Sequence, residues 1–146
     1  MTEPDLHTIA AQRLSGAKLR YTGSRRALVE VLITADRPLM LPQILSLDPS
    51  LTQSSAYRNL AELIGAGVVH RIVTAEEHAH FELAEDLTEH HHHLICTVCG
   101  AVTDFTVPAA LEAQLDDALG REAATHGFVA DHHRLDLVGR CDSCIA

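Results

Sequence analysis

Over residues 5–19 the apolar side chains Leu6, Ile9, Ala10, Leu14 and Ala17 recur at three- and four-residue spacing, which predicts a first helix with Asp5 placed to cap it. Tyr21-Thr22-Gly23-Ser24 reads as a turn, with Thr22 capping a second helix that turns Ala27, Leu28, Val31, Leu32 and Ala35 inward. Pro38 and Pro42 bracket a break, and residues 43–47 form a short third helix stopped by Asp48-Pro49. From Thr52 onward, Tyr57, Leu60, Leu63 and Ile64 give an amphipathic fourth helix. Its early part (Gln53, Ser54, Ser55, Arg58, Asn59) is polar, and Gly65-Ala66-Gly67 ends it. The period then becomes β-like: residues 68–73 and 80–83 read as a hairpin around a polar turn that includes His78. Three helices, a polar-faced helix and a hairpin make a winged helix. In such a module the polar start of the late helix enters the major groove, while the wing and the first basic segment track phosphates. Periodicity alone fits equally a small helical domain with a charged, solvated face.

Residues 85–90 are polar and acidic without periodicity and read as a linker between a winged-helix domain, 1–84, and a second domain, 91–146. The second domain shows strands at 94–98, 102–105 and 134–138 and a helix from 108 to about 126, ended by Gly127. That helix carries Ala110, Leu111, Gln114, Leu115, Ala118 and Leu119 as an inner face. A three-stranded sheet backed by one helix is a small core with open edges, so a second copy is expected against it, making a homodimer. The fold class is α+β: an N-terminal winged helix and a C-terminal small α/β dimerisation domain.

Composition changes this picture in two ways. Aromatic residues are 3% of the 146-residue chain and Trp is absent, so the cores are built from Leu, Val, Ile and Ala. The net charge of −9 argues at first against nucleic acid, but residues 1–83 hold 8 Lys and Arg against 9 Asp and Glu, whereas residues 84–146 hold 3 against 11. The acid belongs to the second half. In the first, Arg13, Lys18, Arg20, Arg25 and Arg26 form a basic run with no acidic residue until Glu30, a patch able to meet phosphates. No apolar run approaches a membrane span and no targeting segment is visible, so a soluble, cytoplasmic protein is expected.

The candidate chemistry lies in the second half. All 4 cysteines fall in two Cys-x-x-Cys pairs, Cys96/Cys99 and Cys141/Cys144, a spacing that closes a four-sulfur structural zinc site. Disulfides or a redox dithiol would suit a secreted or disulfide-dense chain, which this is not. Ahead of Cys96 runs His90-His91-His92-His93, internal and thus no purification tag. Leading into a strand, the run sends His90 and His92 to one face and His91 and His93 to the other, giving two imidazole pairs that each need further ligands. An enzyme reading finds no His-Glu-x-x-His, no nucleophile and no phosphate loop. His7 and His126 read as ordinary surface or helix-end histidines.

Taken together, Arg20-Tyr21-Thr22-Gly23-Ser24-Arg25, Ser55-Ala56-Tyr57-Arg58-Asn59-Leu60 and the His90–Cys99 and Cys141–Cys144 stretches resemble the ferric uptake regulator family of bacterial metalloregulators. The resemblance implies a homodimeric DNA-binding repressor with a regulatory metal site at the hinge. By position, Tyr57 and Arg58 match residues that face DNA, with Arg20, Thr22, Arg25, Ser54 and Ser55 as further DNA contacts; the cysteines match the structural zinc site. Iron-sensing members carry a histidine at the start of the third helix, where this chain has Arg37-Pro38-Leu39-Met40 and offers no ligand. His70 matches a position used by zinc-sensing members, and His80 or Glu82 lies where the family takes another ligand. With His91 and His93 this makes a mostly nitrogen set that suits zinc, ahead of iron, nickel or manganese. His90 and His92 resemble a third family site, for which His133, or its neighbour His132, and a shifted carboxylate, Glu112, are the candidates. A metal-storage or chaperone protein is the alternative from another class; it leaves the helix of Tyr57 and Arg58 without a role.

Overall fold

The computed structural model describes residues 5–74 and 79–145, so the tip of the hairpin, His78 included, lies outside the described residues. The helices are α1 (Leu6–Gly16), α2 (Gly23–Ala35), α3 (Leu41–Leu47) and α4 (Gln53–Gly65), followed by β2 (Val69–Ile72) and β3 (His80–Leu83). α1 buries His7, Ala10 and Leu14, and α4 buries Ala56, Asn59, Leu60 and Leu63, each set on one helical face. Thr22 Oγ1 accepts the backbone N–H of Arg25 at 3.3 Å and so caps α2, which ends at Asp36 in the left-handed region (φ 50°). The core common to these elements includes Leu14, Leu28, Ile44, Leu60, Leu63 and Phe81.

A short strand, β1 (Leu39–Met40), joins the hairpin to give the sheet order β1-β3-β2, with Leu39 opposite Phe81 and His70 opposite Glu82. Two residues between prolines show no alternation, so the pattern of the chain does not announce this strand.

His7 departs from the expected surface histidine. It is 7% exposed; its Nδ1 lies 2.5 Å from Tyr21 Oη and its Nε2 2.5 Å from Glu30, fastening α1 to the turn before α2 and to α2 itself. Burial pushes the Tyr21 phenol up to about 12.

The 85–90 stretch holds a single 3-10 turn, Glu85–Leu87, where an irregular linker is expected. Asp86 takes both arms of the Arg13 guanidinium, at 2.7 and 3.2 Å. Beyond it, β4 (His92–Cys96) is the centre of a sheet ordered β5-β4-β6, antiparallel to β5 (Val102–Phe105) and parallel to β6 (Asp136–Gly139). α5 (Ala109–Thr125) lies between β5 and β6 in the chain, and a last helix, α6 (Asp142–Ile145), carries Cys144.

The expected backing of this sheet by α5 is corrected: α5 buries none of its residues, and Leu111 and Leu119 stand 43% and 45% exposed. The apolar face exists, but the described residues of this chain leave most of it uncovered. Ile95 and Cys96 are the buried hydrophobic side chains of this half among the described residues.

Candidate metal centre

Three sets of donor atoms are gathered, each within 4.8 Å: Cys96, Cys99, Cys141 and Cys144; Glu82, His91, His93 and Asp104; and His90, His92, Glu112 and His133. Because successive strand side chains point to opposite faces, His92 and His93 at the start of β4 are divided between the last two sets, and His90 and His91, just before the strand, join them in turn.

The cysteines are all free thiols, brought together by the turn after β4 and the start of α6. Cys96 Sγ accepts the backbone N–H groups of Cys99 (3.5 Å) and Cys141 (3.4 Å), which hold its thiol down to about 6. Cys144, crowded by the Cys141 thiol, is pushed up to about 12. Four sulfurs this close cannot all ionise alone, and a dication removes that conflict.

On the His91/His93 face, Glu82 Oε2 lies 3.0 Å from His91 Nε2 and Oε1 2.9 Å from His93 Nε2, so the wing strand β3 reaches the second sheet. His91 Nδ1 donates to the Glu89 carbonyl at 2.8 Å, leaving Nε2 for the cluster. Burial alone would lower both imidazoles, but the Glu89 carbonyl and the Glu82 carboxylate for His91, and Glu82 with Asp104 for His93, outweigh it, and both sit above the usual histidine range. Burial likewise works to raise Glu82, but His93 and His91 outweigh it and hold the carboxyl below its usual range. Asp104 is pushed up, by burial and then by the like charge of Glu82.

Among the expected regulatory residues, the structure gathers Glu82, His91 and His93 and leaves His70 and His80 outside the cluster. His80 is buried on β3 opposite Ile72 and Met40, two residues and thus about 6.6 Å further along the strand than Glu82. His70 lines the same cleft as Glu82, His91 and His93; burial, and then the Arg134 charge, hold its ring below the usual range. Asp104, absent from the sequence reading, takes a place in the set because the β4–β5 register puts it opposite His93. An aspartate inside a strand is the signal that could have marked it. The donor set is therefore two imidazoles and two carboxylates, less rich in nitrogen than expected.

On the other face, Glu112 from the first turn of α5 bonds His92 Nε2 and lies 3.2 Å from His90 Nε2 and 3.1 Å from His133 Nε2. Asp116 holds His133 Nδ1 at 2.9 Å. The shift of the carboxylate to Glu112 is thus absorbed by the helix, and α5 is fastened to its own chain through this cluster. Asp104 Oδ1 and Glu112 Oε2, both buried, have no hydrogen-bond partner among the described residues. Such orphaned acceptors beside imidazoles fit a bound cation.

The DNA-facing candidates divide. Arg20, Ser54, Tyr57 and Arg58 are exposed, Ser55 is half-buried, and Thr22 is engaged as the α2 cap. Arg25, expected as a phosphate contact, is engaged within the fold. Its guanidinium donates to Asn59 Oδ1 (3.2 Å), to the Arg20 carbonyl (2.6 Å) and to Glu62, and its side chain is 12% exposed. Asn59 in turn donates to Ser55 Oγ at 3.3 Å. Arg25 therefore braces α4 from behind.

The chain is similar to known proteins in both sequence and fold. The family model described as "Ferric uptake regulator family" matches residues 16–138. A peroxide-responsive repressor PerR of Staphylococcus aureus (strain Mu50) is 30% identical over 144 residues, covering 94% of this chain and 88% of that protein. The Vibrio cholerae ferric uptake regulator has a similar structure, with a TM-score of 0.69 at 27% identity, covering 89% of this chain and 98% of that one. A zinc-bound manganese uptake regulator matches with a TM-score of 0.64 at 27% identity over 94% and 99% of the two chains.

Proposed function

Because this chain belongs to the ferric uptake regulator family of metal-responsive DNA-binding regulators, and is not an enzyme, we propose that it is a homodimeric repressor whose sensory ion is held by Glu82, His91, His93 and Asp104. The observation that carries the reading is Glu82. It stands on the wing sheet, yet its two oxygens reach His93 of the second sheet and His91 just before it.

A bound divalent ion supplies positive charge that these four donors share. Glu82, buried, and Asp104, half-buried, then no longer repel, and the arrangement in which the wing is docked on β4 and β5 is favoured over others. Tyr57 and Arg58 of each protomer are thereby set at a fixed separation, which on successive major grooves is about 34 Å. Leu111, Leu119, Leu137 and Val138, exposed in the single chain, supply the apolar surface for the second copy.

Zinc is the leading candidate for the sensed ion, since four protein donors of nitrogen and oxygen match its tetrahedral preference. Manganese or iron(II) is the second reading, favoured by the two carboxylates. The test is selection of duplex DNA from a random pool by the metal-loaded protein, followed by binding measured against free zinc, manganese and anaerobic iron(II). Selected DNA should be released when the ion is chelated and should not be bound by Glu82→Ala. Equal binding by stripped protein would sink the regulator reading, and metal uptake with no DNA selected would favour the store.

A further inference from the structure

The hinge turn Glu85–Leu87 carries two neighbouring carboxylates that reach in opposite directions. Glu85 Oε1 lies 2.6 Å from His90 Nδ1, while Nε2 of the same ring faces Glu112 (3.2 Å) and His133 (3.3 Å) in the third cluster. Asp86 grips Arg13 of α1, and that guanidinium also donates Nη1 to the Gly67 carbonyl at 2.6 Å, just past the end of α4. Gly67 has φ +80°, so the backbone there takes a form that leaves its carbonyl to Arg13 at little cost only because the residue is glycine. One turn thus touches a cluster ligand at one side and, through Arg13, both α1 and the DNA-facing helix at the other.

We propose that Glu85 is the positioning residue for the His90 cluster and that the Glu85–Asp86 turn is a strut through which filling of that cluster and placement of α1 and α4 influence each other. The inference rests on the reading that His90, His92, Glu112 and His133 take a divalent cation.

A ligand imidazole whose Nδ1–H is given to a carboxylate is fixed in tautomer and orientation, with Nε2 presented to the ion. Without Glu85, His90 is free to rotate and to carry its proton on the wrong nitrogen. The Glu85–His90 pair itself contributes little stability, since the two side chains are 34% and 37% exposed. Its effect is geometric. Because Glu85 and Asp86 are adjacent in one turn, a shift of Arg13 moves both. By linkage, whatever the winged helix does to cluster affinity, cluster filling does to the winged helix by the same factor.

The experiment is zinc titration of the full chain against a chromophoric chelator, with His133→Ala marking the equivalent that belongs to this cluster. Wild type should bind three equivalents per chain. Glu85→Ala should weaken the marked equivalent about 10- to 100-fold and leave the others unchanged. Glu85→Gln, whose amide oxygen still accepts Nδ1–H, should recover most of the loss. Asp86→Asn and Arg13→Met, neither of which touches a ligand, should weaken the same equivalent by a smaller factor. Wild-type affinity in Glu85→Ala, or equal losses in the Ala and Gln variants, overturns the positioning role. No change in either Asp86→Asn or Arg13→Met overturns the strut. Two equivalents in wild type, unchanged by His133→Ala, overturn the cluster reading and this proposal with it.

Discussion

His93 and Asp104 stand directly opposite each other across the β4–β5 pair, with His93 Nε2 3.4 Å from Asp104 Oδ1. Opposed strand residues share a face, so register alone delivers this carboxylate to the histidine pair. Its Oδ1 is buried without a hydrogen bond, which is costly unless something else meets it. Asp104→Ala should therefore lower sensory-metal affinity by at least about tenfold while the four cysteines keep their zinc. Metal analysis after dialysis against a weak chelator checks it; full retention of the sensory ion would remove Asp104 from the site.

The pH response follows from the same cluster, with the cysteine zinc in place and the sensory donors free. His91 and His93 are raised above 6.5 in the folded chain, so their contribution is fully present below 6.5 and is lost as pH rises through the raised values. Glu82 is lowered below 4.5, so its contribution is present above 4.5 and is lost as pH falls through the lower value. Thermal stability should thus decline on the alkaline side of 6.5, and His93→Gln should flatten that decline. Metal affinity runs the other way, falling as pH drops from above 6.5, because the imidazoles must lose their protons to ligate.

Arg25 and Arg58 should separate stability from DNA contact. Arg25→Ala removes bonds to Asn59, Glu62 and the Arg20 carbonyl and should cost about 2 kcal/mol of stability, read as a lower melting temperature. Arg58→Ala, at an exposed position, should leave melting unchanged and weaken DNA binding. A wild-type melting temperature in Arg25→Ala would show that its bracing of α4 is without energetic weight.

If the cysteine cluster holds a structural zinc, Cys96→Ser should release it and weaken the second half of the chain, whose own buried hydrophobic side chains among the described residues are Ile95 and Cys96. Zinc content and melting together test this; unchanged values in both would contradict a structural role.

On the edge strand β6, Val138→Asp should disperse the proposed dimer, since this apolar side chain is 65% exposed in the single chain. Sedimentation at micromolar concentration decides it, and an undiminished dimer would move the interface elsewhere.

Local periodicity made most of the helices and strands legible, and cysteine spacing marked the four thiols that the fold gathers. The division of the histidine run between two centres also followed from strand alternation. What the sequence concealed depended on register and on the third dimension. Asp104 could be placed only once β5 was aligned with β4, and the choice of Glu82 over His80 required knowing which end of β3 meets the hinge. Arg25 lay within a basic run that read as phosphate-binding, but Asn59 and Glu62, 34 and 37 residues away, claim its guanidinium. α5 showed a true apolar face; no pattern within one chain can say what that face meets.

Because the four histidines are identical, loss of any one of them leaves the same shortened chain. Pairing of Cys96 with Gly139 fixes one end of the run, and the Glu85–Leu87 turn fixes the other. Loss of one histidine therefore leaves imidazoles at the three places nearest the sheet, puts the carboxylate of Glu89 where His90 stood, and shortens the intervening segment by one residue. Such a deletion spares both proposed sensory imidazoles and removes the one ring that Glu85 holds, so loss of any of the four falls on the same centre.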